Sequence, residues 1–126
     1  MITNKCYCGS NKNFQNCCEP IIKGFQKAHS AESLMRSRYS AYAVHQADYL
    51  MESTSISERK YYSKSEILIW ATCNQWLQLD IINFTNNTVE FKAHFLDSKL
   101  QKQVHHELST FIFENGSWFY VNGQFF

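Results

Sequence analysis

The residues best suited to chemistry stand near the start of the chain, in Cys6–Cys18, which reads CYCGSNKNFQNCC. Four of the five cysteines fall in this stretch, as a Cys-x-Cys pair (Cys6, Cys8) and as two neighbours (Cys17, Cys18). Four thiols at this density make a tetrahedral metal set. Zinc is satisfied by four thiolates at about 2.3 Å, and a site closed by four protein ligands is structural rather than catalytic. Such binding can fold a segment too short for a core of its own. Gly9 and Ser10 follow the second thiol, where the chain must turn, and glycine turns there at least cost. The competing reading is a disulfide knot, whose bridges would have to run between the two pairs because each pair closes only a tiny loop. No secretory signal is expected, since Met1–Lys5 is polar and no long apolar run follows it. In a reducing cytosol clustered thiols hold metal more often than they form disulfides. One structural zinc ion per chain and a cytoplasmic location are therefore expected.

The same stretch resembles the SEC-C motif, a small zinc-binding element whose pattern is Cys-x-Cys-Gly-Ser, an aromatic, then Cys followed by Cys or His. By that resemblance the ligands are Cys6, Cys8, Cys17 and Cys18, and Phe14 is the aromatic that packs beneath them. Members usually carry Pro between the first two cysteines, where this chain has Tyr7; the turn loses a constraint but no ligand.

These thiols need a body to stand on. A chain of 126 residues is one compact domain with a small appendage. Hydrophobic content of 44% and charged content of 18% are those of a globular chain. A formal charge of +1 leaves no broad basic footprint for nucleic acid and no polybasic cluster for a membrane. No apolar run approaches a membrane span. Aromatic residues are abundant at 16%, enough to fill a core and still line a cavity.

Gly24 marks the junction between the cysteine element (residues 1–24) and the main domain (25–126). Pro20 is expected to end the element. Ser30 caps a helix over Ala31–His45, with Met35, Tyr39 and Tyr42 at helical spacing. A short helix is expected over Ala47–Glu52, then a polar stretch. Ser63 and Glu66 form a capping box before a helix over Lys64–Asn74, where Cys73 is read as a buried core thiol. From Trp76 the period becomes two. Strands are expected over Trp76–Phe84, around Val89–Phe95, and over Gln103–Phe113 and Ser117–Asn122. Asn86-Asn87 is expected to turn with positive φ, Asp97–Lys102 to turn again, and Asn115-Gly116 to close the last hairpin. Three helices on one face of a four-stranded antiparallel sheet give an α+β fold enclosing a pocket. Both faces of Gln103–Phe113 carry apolar residues, so a homodimer through the outer sheet face is an expectation.

With these elements located, the segments LMRSRYSAY, ADYL, WLQL and ELSTF…WFYVNG resemble in order and spacing the YchJ-type family of uncharacterised bacterial proteins. That resemblance implies a SEC-C motif joined to a cystatin-like, nuclear transport factor 2-like domain, a cone of helices on a curved sheet. Members often carry a second SEC-C motif after the last strand, which this sequence lacks, so a function needing two zinc elements is not expected of it.

Folds of that kind host both enzymes and binders, and fold alone decides nothing. An isomerase-like site would need a carboxylate base facing an acid, often Tyr, in an apolar pocket. Tyr39 and Tyr42 with Asp80, His94 or Glu107 are candidates, but the plain alternatives are core tyrosines and a solvated Asp80 and His94. Arg36 and Arg38 lie about 200° apart on a helix, so one face cannot present both. Were the first helix to cross the third strand, an arginine would pair with Glu107 and offer spare donors to an anionic ligand; a structural ion pair is the plainer version. His105 and His106 point to opposite sheet faces and so do not share a second metal. Pocket candidates are Arg36, Arg38, Tyr39, Tyr42, Trp70, Trp76, Glu107 and Trp118. The leading reading is a binding or adaptor module, in which the zinc element docks a protein partner and the aromatic pocket holds a small apolar ligand or a peptide. An isomerase, dehydratase or hydrolase acting on a small apolar substrate is the alternative. Nucleic-acid or ribosome contact through Lys5, Lys12 and Lys23 is a third reading, weakened by the near-neutral charge.

Overall fold

The computed structural model describes residues 5–126. Its elements are a 3-10 turn at Phe14–Asn16, then α1 (Cys18–Ile22), α2 (Ala31–Ala43), α3 (Ala47–Glu52), a 3-10 turn at Ile56–Tyr61, α4 (Lys64–Cys73), β1 (Gln75–Phe84), β2 (Thr88–Leu96), β3 (Lys102–Glu114) and β4 (Ser117–Phe125). The fold is α+β, with the four strands paired antiparallel in sequence order.

The caps work as the residue types require. Ser30 Oγ accepts the Ser33 amide at 3.0 Å and Ser63 Oγ accepts that of Glu66 at 3.3 Å. In β2, Val89, Phe91, Ala93 and Phe95 are buried and alternate with residues that are not, the clean pattern of a strand with one covered face. Asn115 and Gly116 both take positive φ, 52° and 79°, which a two-residue hairpin with the natural strand twist demands.

Pro20 lies in the first turn of α1, where its missing N–H has no helical partner to lose. Three local expectations are corrected. Helix α2 stops at Ala43 because His45 takes φ 63° and turns the chain directly into α3. Neither Asn86 nor Asn87 has a positive φ. That hairpin is closed instead by the Thr85 amide on the Thr88 carbonyl at 2.9 Å and by the two threonine hydroxyls at 2.6 Å. Cys73 is exposed rather than buried, because α4 turns only Ala71 fully inward and Cys73 lies well round the helix from it.

Helix α2 is the centre of the molecule. Leu34, Met35, Ser37, Arg38, Tyr39, Ser40 and Ala41 are all buried, because the helix is covered by the sheet, by α3 and by the cysteine element. One apolar cluster runs from Cys6, Cys8 and Cys18 through Leu34 and Met35 to Phe91, Phe111 and Tyr120. The segment after α3 joins the sheet: Thr54 bridges Tyr120, with the Ser55 amide on the Tyr120 carbonyl at 2.7 Å and the Tyr120 amide on the Ser53 carbonyl at 2.8 Å.

Gly123 in β4 stands opposite Ser109, and a Cβ built on it would overlap the Glu107 side chain. The missing side chain is the space that Glu107 occupies. Gly123→Ala is expected to destabilise the fold by about 1–3 kcal/mol through overpacking, read as a lowered urea midpoint with little change in slope. An unchanged midpoint would show that Glu107 is free to move aside.

Candidate functional site

Two sites are built around α2, one on each side. On the first, the 3-10 turn and the start of α1 bring Cys17 and Cys18 up to the Cys6–Gly9 turn. The four Sγ atoms lie within 4.8 Å of one another. Cys8 and Cys17 are 3.7 Å apart and Cys17 and Cys18 are 3.9 Å apart. A tetrahedron with arms of about 2.3 Å has edges of about 3.8 Å, so the cluster has the size of a thiolate-bound zinc-like ion. The thiols are free, not joined as disulfides. Gly9, with φ 81°, makes the turn that returns the chain over the ligands. The outer contacts also suit a metal set: Ser10 Oγ stands 3.1 Å from Cys17 Sγ and Ser40 Oγ 3.5 Å from Cys6 Sγ. Tyr7 is exposed and packs edge-on against Phe14 at 5.3 Å, while Phe14 leans on the core beneath the cysteines.

The element is not a loose appendage. Cys8 is fully buried and Cys6 and Cys18 nearly so. Arg36 Nη1 donates to the Cys8 carbonyl at 2.6 Å and Nε to Glu32 at 2.9 Å. Burial favours the neutral form of this guanidinium, but Glu32 and Cys8 outweigh it and raise its pKa above the usual value. Arg36 therefore serves the cysteine element and lies outside the pocket.

On the other side of α2 a cavity of about 180 Å³ opens between the helices and the sheet. Its apolar wall is Met35, Tyr39 and Tyr42 from α2, Trp70 from α4, Trp76 from β1 and Phe91 from β2. Trp76 is the hub of the rings, with Tyr42 at 5.5 Å, Trp70 at 5.8 Å and Phe95 at 5.2 Å. Its indole N–H donates to the Ala71 carbonyl at 3.1 Å, joining β1 to α4. Trp70, Tyr62 and Phe125 are partly exposed and frame the mouth. Trp118, expected in the pocket, packs instead on Phe113 and beside Ile22 and Leu34, because it lies at the far end of β4.

The polar end of the cavity is Glu107, 6% exposed. Its Oε1 pairs with His105 Nε2 at 2.7 Å, and its Oε2 accepts from Ser109 Oγ at 2.6 Å and Tyr120 OH at 2.9 Å. Burial pushes the carboxyl up, but the hydrogen bonds from His105, Ser109 and Tyr120 prevail and hold it below the ordinary value. Burial and the adjacent Glu107 charge push the Tyr120 phenol up. No arginine pairs with Glu107, contrary to the expectation from the sequence. Arg38 turns to Leu50, Ser53 and Thr54 and lies 4.4 Å over the Tyr120 ring. Asp80 and His94 pair with each other at 2.8 Å on the outer sheet face, away from the cavity. His106 faces outward to Glu90 at 2.7 Å while His105 faces in. Alternation alone puts His105 and His106 on opposite faces without saying which of them faces inward; the spacing of two between His105 and Glu107 on one strand is the signal that singles out His105.

Residues 30–123 match the family described as YchJ, middle NTF2-like domain, and residues 3–20 match the SEC-C motif. The chain belongs to the YchJ family. A UPF0225 protein of Photorhabdus laumondii is 41% identical over 97% of this chain and 81% of its own length, and one of Geobacter sulfurreducens 35% identical over 97% and 80%. Among solved structures, a SEC-C motif containing protein from Rhodopseudomonas palustris superimposes with a TM-score of 0.87 at 35% identity, over 95% of this chain and 97% of that one. One from Psychrobacter arcticus does so at 0.81 and 28%, over 97% and 81%. Within the YchJ family fold, the cysteine cluster is the SEC-C motif and the cavity belongs to the NTF2-like domain. No helix among the described residues is long and apolar enough to cross a membrane.

A carboxyl held low in the folded state stabilises that state above its ordinary value of 4.5, and the stability is lost as pH falls through the folded value. Unfolding the wild-type chain should therefore become easier below about pH 5, where the unfolded state takes up the extra proton. Glu107→Gln should be less stable at neutral pH yet show a flatter acid limb in urea denaturation. Equal acid slopes in the two proteins would mean that Glu107 is not held low in the folded state.

Proposed function

We propose that this protein is a small-molecule binding module in which one structural zinc ion on Cys6, Cys8, Cys17 and Cys18 secures the helix that walls the pocket. The observation that carries the reading is the cavity itself, about 180 Å³ and ringed by Tyr39, Tyr42, Trp70, Trp76 and Phe91. Well-packed cores leave few voids larger than a water molecule. A dry cavity of about 150 Å³ takes up benzene, so this one suits a molecule of one or two rings. The metal role is supported by the tetrahedral edge lengths and by the burial of the cysteines against α2. The ion would be closed to substrate by its four thiolates and would act through shape. A protein partner would meet the element on its exposed side, where Tyr7 and Lys12 face outward.

A second reading, an enzyme, is favoured by one observation. His105 is oriented by Glu107 at 2.7 Å and its ring lines the cavity. A histidine held by a carboxylate is the usual arrangement of a general base, and here Glu107, with three donors on it, would orient rather than abstract.

Native mass spectrometry of the purified chain should find one zinc ion per chain, and a strong chelator should lower the melting temperature. A metal-free protein of unchanged stability would remove the zinc from this reading. Titration with the neutral two-ring probe 2-naphthamide should shift the indole N–H resonances of Trp70 and Trp76. No shift at millimolar probe would overturn the binding role of the cavity.

A further inference from the structure

Arg38 is a charged group of the cavity whose donors are only partly satisfied by the described residues. The residue is 6% exposed. All of its hydrogen bonds run from one nitrogen: Nη1 donates to Ser53 Oγ at 2.6 Å, to the Leu50 carbonyl at 3.0 Å and to Thr54 Oγ1 at 3.4 Å. These acceptors are neutral. No carboxylate lies within 4.0 Å of the guanidinium among the described residues, although a buried ion without a counter-charge is costly. Stacking over the Tyr120 ring at 4.4 Å supplies part of the compensation.

The Nε and Nη2 donors have no protein acceptor among the described residues. Yet no fully enclosed polar side-chain atom there lacks a partner, so these two nitrogens are not fully enclosed, and Arg38 lines the cavity. Nε and Nη2 form one edge of the planar fork, and two parallel N–H donors on one edge match the two oxygens of a carboxylate. Glu107 cannot be that carboxylate, since His105 occupies one of its oxygens and Ser109 and Tyr120 the other.

We infer that the cavity takes an aromatic monocarboxylate, its carboxylate on the Nε and Nη2 edge of Arg38 and its ring among Tyr39, Trp70, Trp76 and Phe91. The inference rests on the reading of the cavity as a binding pocket and adds the charge of the occupant. Among the described residues the cavity lining holds one guanidinium and no lysine, which matches a monoanion better than a phosphate dianion. The aromatic walls supply stacking in edge-to-face and offset geometries to a flat ring.

The test compares 2-naphthoate with its neutral isostere 2-naphthamide on the intact, metal-replete chain, by calorimetry and by the Trp70 and Trp76 indole resonances. A hydrogen bond to a charged partner is commonly worth about tenfold or more in affinity, so the wild type should prefer the carboxylate by at least that factor. The ratio should fall toward one in Arg38→Met, and Arg38→Lys, which keeps the charge without the fork, should retain part of it. Equal affinities for both probes in the wild type would overturn the carboxylate assignment while leaving the pocket a binding site, and this outcome needs no variant to fold. Naphthoate binding that leaves both indoles unmoved would also overturn it. Failure of both probes to bind would instead bring down the binding reading on which it rests.

Discussion

The burial of α2 on nearly all sides is the constraint on which the rest of the molecule depends. A helix in the middle of a small domain normally turns polar residues to water, but α2 has Ser37, Arg38 and Ser40 in the interior. Each must find a partner or cost the fold the desolvation of an unpaired polar group, about 1–3 kcal/mol. Ser37 hydrogen-bonds to the Leu34 carbonyl at 2.7 Å and stands 2.6 Å from the Tyr49 hydroxyl. Ser40 lies against Cys6, and Arg38 against the end of α3. These partners come from the cysteine element, from α3 and from the loop that follows it. The cysteine element, α3 and the loop behind it are thereby fixed around one helix, and the two sites share a wall.

The shared wall explains why the cysteine element and the cavity belong to one functional account. Arg36 ties α2 to the Cys8 carbonyl on one side, and Arg38, two residues later, reaches the cavity on the other. The rotation between them on a helix separates the roles. A change in the thiol cluster would act on the same helix that holds Met35, Tyr39 and Tyr42 against the aromatic wall. The coupling is mechanical, through a packed helix with little room to shift.

Within the cavity, charge is handled by separation. Glu107 is neutralised by three hydrogen bonds from its own sheet and Arg38 by the α3 end and the Tyr120 ring. Tyr120 joins the two, donating its hydroxyl to Glu107 while its ring lies under Arg38. A direct Arg38–Glu107 pair would have cancelled both charges and closed the polar end of the cavity. Keeping them apart leaves Arg38 lining a largely apolar space, an arrangement in which electrostatics are stronger than in water.

Much of this was legible in the chain. Thiol spacing marked the four-cysteine cluster, period two marked the strands, and Ser30 and Ser63 marked helix starts, because each depends on residues close in sequence. The pocket rings from Tyr39 to Trp76 were also legible, as apolar positions on faces that had to be covered. What the chain alone could not decide were the pairings across long separations. An arginine of α2, Arg36 or Arg38, is expected from the sequence to pair with Glu107, but Arg36 goes to Glu32 and the Cys8 carbonyl, and the bridge between Thr54 and Tyr120 brings carbonyl and hydroxyl acceptors to Arg38. Gly123, whose absent side chain makes the room for Glu107, lies just beyond the last expected strand, Ser117–Asn122, and nothing in its spacing points to Glu107. Local chemistry determined the elements and the thiol cluster; tertiary structure decided which polar groups satisfy one another, because that depends on distances no spacing along the chain records.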